Sequence, residues 1–141
     1  MIQDPNTNDI VQLFTREGRY LCARWGRPVA PAIFGLEDES LGIFRAALRA
    51  VLADIGHSIV ETDPEMGVNL MMFFVRDWDD LAALPDLGGL TGQQELPARL
   101  KSERADQYRI FRFDPDGGIR ACLTFVNMGG ALGNAHPGLL A

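Results

Sequence analysis

Apolar residues recur at helical spacing most clearly between Glu39 and Ile55, where Leu41, Phe44, Leu48, Val51, Leu52 and Ile55 share one stripe. Glu37, Asp38 and Glu39 place negative charge at the N-terminal end of that stripe, and Gly56 suits the position just past its end. The pattern predicts one long helix. Val68 to Val75 is apolar on both faces, which predicts a central strand covered on each side. Short alternating runs at Ile10–Thr15 and Arg19–Trp25 flank Glu17-Gly18 and predict an N-terminal hairpin, with Phe14 facing Leu21 and Ile10 facing Trp25. Val29–Phe34 reads as a third strand, demoted to a sheet edge because Pro31 has no N–H for a ladder. Ser58–Thr62 reads as a short strand closed by a turn at Asp63-Pro64.

Asp77 is a suitable N-cap for a short helix through Leu84, stopped by Pro85. Pro85–Gly92 is expected as loop, and Pro97 opens a second short helix to about Ala105. Tyr108–Phe113 and Ile119–Met128 flank Asp114-Pro115-Asp116-Gly117-Gly118, a strong hairpin signal. Hairpins at both ends around helices predict an α+β fold: a mixed, mainly antiparallel sheet with one long helix and one or two short helices packed on it. The boundaries are a single domain over 9–128, with 1–8 and 129–141 as flexible termini.

The length, 141 residues, fits one domain that buries its own core without a metal or disulfide to staple it. No apolar run is long enough to span a membrane. The start, Met1-Ile2-Gln3-Asp4-Pro5, lacks the basic and apolar regions of a signal peptide, so a cytoplasmic location is expected. A net charge of −6 repels phosphate backbones, which argues against nucleic acid as a partner.

The chemistry of common sites finds little to work with. Gly129-Gly130-Ala131-Leu132-Gly133 loosely matches a dinucleotide loop, but Met128 stands where its first Gly belongs. Cys22, His57, Cys122 and His136 lack the close pairs of a zinc site, so no metal or other cofactor is expected. Asp77-Trp78-Asp79-Asp80 lacks the Gly and distal Glu of a calcium loop and reads as a capped helix start. Asp114 and Asp116 suit local bonding in a turn, and Glu61, Asp63 and Glu65 read as a solvated turn rather than an acid–base pair. A Cys–His dyad would need a thiol that is not buried in a strand, and both cysteines fall within strand patterns. No catalytic residue is assigned.

The arginines are more informative. Closing the last hairpin with Phe113 opposite Ile119 pairs Phe111 with Ala121 and Arg109 with Leu123 on one face. On the other it sets Arg112 opposite Arg120, with Tyr108 and Thr124 nearby. Like charges directly opposite destabilise a sheet, so intramolecular carboxylates, a small anionic ligand or an acidic partner should offset them. Trp25 and Trp78 stand at element ends, where half-buried Trp often marks an interface, although rim packing is the commoner reason. The candidate ligand- or partner-binding residues are therefore Arg112, Arg120, Tyr108, Trp25 and Trp78.

The stretch from Arg24-Trp25-Gly26-Arg27-Pro28, through the long helix, to Asn69-Leu70-Met71-Met72-Phe73-Phe74-Val75 is similar to an uncharacterised bacterial domain family. That family is common in α-proteobacteria and related to the zincin-like fold. The resemblance spans residues 19–126 and implies the sheet-plus-helix half of a metalloprotease-like fold. The metal-binding helix that follows the last hairpin in zincins has no counterpart in Asn127-Met128-Gly129-Gly130, so no catalytic role is carried over. The expectation is a non-catalytic binding or protein-interaction module. Its alternatives are a degenerate or truncated zincin-like hydrolase domain, or a structural or homo-oligomeric subunit such as a homodimer.

Overall fold

The computed structural model describes residues 6–84, 87–92 and 95–141. The architecture is α+β. Helix α1 (Thr7–Leu13) leads into a small hairpin, β1 (Thr15–Arg16) and β2 (Arg19–Tyr20). The main sheet has four strands: β3 (Pro31–Phe34), β4 (Leu70–Val75), β5 (Gln107–Phe113) and β6 (Ile119–Asn127). Their order across the sheet is β3-β4-β6-β5. β3, β4 and β6 run parallel, and β5 lies antiparallel to β6 at the outer edge. The sheet is thus more parallel than the hairpin-rich sequence predicts, because the long helix α2 (Asp38–Asp54) carries the chain back so that β4 runs alongside β3.

The two faces of β4 serve two cores, as strand alternation requires. Met72 and Phe74 point with Val126 towards α2, which supplies Phe44, Leu48 and Leu52. Phe73 points with Leu123 and Phe125 the other way. There it meets Trp78 and Leu81 of a 3-10 helix (Trp78–Ala83), and Leu96 and Leu100 of α4 (Leu96–Ser102). Phe34, Phe73 and Phe125 lie in register across three adjacent strands and stack, with ring centroids 5.0 and 5.3 Å apart. Phe125 is 0% exposed.

The long helix, the edge position of the Pro31 strand and the central, doubly covered β4 match the sequence pattern. Gly56 takes φ +69° just past α2, the left-handed conformation that glycine adopts without strain. Gly35 closes β3 at φ +92°, and a Cβ there would sit 2.0 Å from the Phe74 carbonyl oxygen.

Other expectations are corrected. Residues 7–13 are helical, not a strand: Asn6 Oδ1 accepts the Asp9 N–H, Asp9 accepts the Asn6 N–H, and Ile10, Val11, Leu13 and Phe14 have helical spacing. Ile10 therefore does not face Trp25. The turn at Glu17-Gly18 is as read, both residues having positive φ, and the Leu21 N–H reaches the Phe14 carbonyl. Ser58–Thr62 forms no strand beyond one parallel bridge, Val29 with Ile59, because the next donor towards it would be residue 31, a proline with no N–H. Within the expected loop 85–92, Leu87–Thr91 is a short helix, α3; Pro85 itself lies outside the described residues. Gly88 and Gly89 give that turn little intrinsic preference, which hides it from the sequence.

Segment 129–141, read as a tail, contains a 3-10 turn (Ala131–Asn134) and α5 (Pro137–Leu140). Its Leu132 and Leu140 pack on the α2 side of the sheet. Among the described residues, no helix is long and apolar enough to cross a membrane.

Candidate functional site

Two features stand out as candidates: an ion-pair hub around Arg27, and the outer edge of β5.

The hub begins with two glycines. Gly26 and Gly118 approach so closely that a Cβ on Gly118 would lie 3.2 Å from the Gly26 Cα. This lets the 24–26 segment bond to the start of β6, with the Gly26 N–H on the Ile119 carbonyl and the Ile119 N–H on the Arg24 carbonyl. Arg27 is then delivered between two turns. Its guanidinium donates to Asp63 at 3.2 Å, Glu65 at 3.3 Å and Asp114 at 3.0 Å.

Asp63, only 4% exposed, is the most constrained member. Its Oδ1 accepts the Glu65 and Met66 N–H groups, and its Oδ2 accepts Asn69 Nδ2. Asn69 in turn bonds the Ala30 N–H and the Pro28 carbonyl. The Met66 N–H above all holds the Asp63 carboxyl far below the usual carboxylate range. Asn69, the Glu65 N–H and Arg27 add to this, against the opposing pull of burial. His57 Nε2 donates to the Arg27 carbonyl at 2.8 Å. One guanidinium thus ties together three carboxylates of the chain, with its buried Nε making no hydrogen bond, and the hub works as a clamp joining the Asp63 and Asp114 turns. A hollow of about 480 Å³ lies beside it, lined by Pro28, Val60, Thr62 and Pro64 as well as the hub.

The edge of β5 is different. The Asn127 N–H bonds the Asp106 carbonyl, so the hydrogen-bonded pairs to β6 involve residues 106, 108, 110 and 112. The N–H and C=O groups of Gln107, Arg109 and Phe111 consequently point away from β6, where the sheet has no further strand among the described residues. Phe111 and Phe113 are 40% and 52% exposed, with ring centroids 6.2 Å apart. Arg109 is exposed, and its guanidinium donates to the neutral Gln107 Oε1 at 2.8 Å.

A groove of about 290 Å³ separates this face of β5 from α2, with Trp25, Leu48, Leu52 and Cys122 among its walls. Burial pushes the Cys122 thiol up, against smaller opposing effects of Thr124 and Arg109, so it stays protonated at neutral pH. Its hydrogen-bond partner is Thr124 Oγ1 and that of His57 is a backbone carbonyl, so these two are not assembled as a dyad. Among the described residues, no three His, Cys, Asp or Glu side chains gather in a way that could hold a metal ion.

The five residues singled out by sequence are spread over the molecule. Arg120 pairs with Glu65 and also points Nε at Met66 Sδ. Trp25 is half-buried against the α2-side core. Trp78 is 2% exposed and donates Nε1 to the Ala105 carbonyl, a buried position in the core. Tyr108 is half-buried beneath the Arg99 guanidinium, 5.4 Å from the ring centroid. Arg112 lies opposite Ala121, not Arg120.

The shifted pairing of Arg112 has a clear cause. Phe113 does pair with Ile119, but a bulge leaves Arg120 unpaired and moves every later partner by one: Arg112 to Ala121, Phe111 to Cys122, Arg109 to Thr124. The extra residue turns Arg120 towards Glu65 and removes the like-charge pairing. Arg109, Phe111 and Phe113 were not singled out by sequence. Their alternation along Gln107–Phe113 was visible, whereas the outer position of the strand depends on which partner β6 takes on its other side.

Compared with known proteins, the chain matches no family model, no curated protein and no solved structure. Function is therefore read from the residues alone.

Proposed function

We propose that the chain is a protein-interaction module that receives an extended partner segment along the outer edge of β5. One observation carries the reading: a seven-residue strand leaves the N–H and C=O groups of Gln107, Arg109 and Phe111 facing outward, beside two exposed phenylalanines. Long, flat, partly apolar edges invite strand pairing, and proteins that do not use them cover or break them. Here the pairing of β5 with β6 keeps one register from Gln107 to Arg112, because the bulge sits at the far end and on β6. Main-chain bonds would supply affinity and the side chains of alternate residues would supply selectivity. The Arg27 hub is read as a structural clamp, since its guanidinium is tied to three carboxylates of the same chain.

The test uses a blocked peptide, Thr-Val-Thr-Val-Thr-Gln-Thr, titrated to about 1 mM, the weak end of specific binding. The amide resonances of Gln107, Arg109 and Phe111 shift with the peptide. Phe111→Pro removes an outward N–H that the β5–β6 ladder does not use, so the variant keeps its fold. It weakens the peptide by at least about ten-fold. Phe111→Ser, which keeps the backbone donor, gives a smaller loss. Resonance shifts confined to other parts of the molecule, or peptide affinity unchanged in Phe111→Pro, reject the reading.

A further inference from the structure

We infer that the segment received by β5 is acidic, carrying a carboxylate opposite Arg109 with apolar residues two and four positions before it. This rests on the reading of β5 as a docking edge and adds the chemistry of the partner.

Charge points to it first. The chain as a whole carries −6, yet Gln107–Phe113 holds two arginines and no carboxylate. Arg27, Lys101 and Arg120 each meet a carboxylate of their own chain. Arg109 meets none among the described residues, and its Gln107 contact leaves the positive charge uncompensated. An opposite charge directly across a strand pair is stabilising, and a like charge is the reverse. A second copy of the chain would bring another Arg109 and no carboxylate to the seam. An acidic segment from another protein is the better complement.

Geometry then sets the spacing. Arg109, Phe111 and Phe113 are alternate residues of one strand, and Phe111 and Phe113 stack on each other. A strand added antiparallel to β5 forms its hydrogen-bonded pairs with Gln107, Arg109 and Phe111, whose backbone groups face it. The residue opposite Arg109 is the carboxylate. The residues opposite Phe111 and Phe113 lie two and four positions earlier in the incoming chain, where apolar side chains cover the exposed rings.

The experiment compares two blocked peptides by resonance titration: Thr-Val-Thr-Val-Thr-Glu-Thr and its Glu→Gln counterpart. The acidic peptide binds roughly three-fold more tightly, the scale of an exposed ion pair. Arg109→Gln abolishes that preference, so that the variant binds the two peptides equally. Equal affinities for the wild-type chain overturn the acidic partner, and so does a preference that survives Arg109→Gln; in both cases binding of the neutral peptide leaves the docking edge standing. If neither peptide moves the β5 amides, both ideas fall together. Sedimentation of the wild-type chain and of Phe111→Pro closes the remaining route. A dimer that this variant dissolves assigns the edge to a second copy and overturns the acidic segment.

Discussion

Phe125→Ala lowers the free energy of unfolding by about 3–5 kcal/mol, the usual cost of emptying a fully buried aromatic site. Phe125 sits on β6, which like β4 has a partner strand on each side, and its ring stacks on Phe73 at 5.3 Å. It belongs to the same cluster as Trp78, Leu81, Leu96 and Leu100. Removing it therefore opens a cavity between the sheet and α4 that strands fixed by two ladders cannot close. Domains of this kind are stable by only about 5–15 kcal/mol, so the loss takes a large share of the total. Urea unfolding followed by circular dichroism measures it. Phe34→Ala is the control: that ring ends the same stack and is exposed at the β3 edge, so its removal costs clearly less. Equal losses for the two variants would show that the stack does not organise this core as described.

The second large effect is at Asp63. Asp63→Asn lowers the thermal midpoint by on the order of 10 °C, because it removes one partner of a buried ion pair and leaves the other in place. An amide oxygen can still accept the Glu65 and Met66 N–H groups. The amide nitrogen then faces Asn69 Nδ2 and the Arg27 guanidinium, donor against donor. The pH dependence follows from the direction of the shift. The folded carboxyl titrates below its unfolded value of about 3.9, so its stabilisation is complete above that pH and drains away as acid approaches the folded pKa. Thermal scans between about pH 6 and pH 2 should show the wild-type midpoint falling in the acid limb and the variant falling less there. Parallel curves for the two proteins would contradict the assignment of Asp63 as an acid-sensitive anchor.

What the sequence disclosed, and what it withheld, divides by range. α2 was legible because its stripe, acidic start and closing Gly56 all act within a few residues. The edge position of β3 was legible because Pro31 lacks a donor wherever it sits. The pairing of Phe113 with Ile119 followed from the turn between them. Arg112 and Arg120 do not pair because a bulge at Arg120, which no local signal in the sequence announces, breaks the uniform register after one pair. At residues 7–13 a capping box outweighed a weak alternation. The Arg27 hub was out of reach: its carboxylates come from turns that meet only once α2 has carried the chain back, and Gly26 and Gly118 show their purpose only when placed side by side.

The parallel crossover also sets an order of assembly. β5 and β6 are joined by a tight turn and can find each other quickly, whereas Pro31 meets Leu70 only after the whole of α2 has been traversed. Local ladders form early and distant ones late. For that interval the hairpin presents two bare margins, and the apolar margin of β6 must be claimed by β4 before a neighbouring chain reaches it. Nascent and refolding chains are thus most prone to clump while β4 is still undocked, which makes dilution and rapid formation of α2 the conditions that favour recovery.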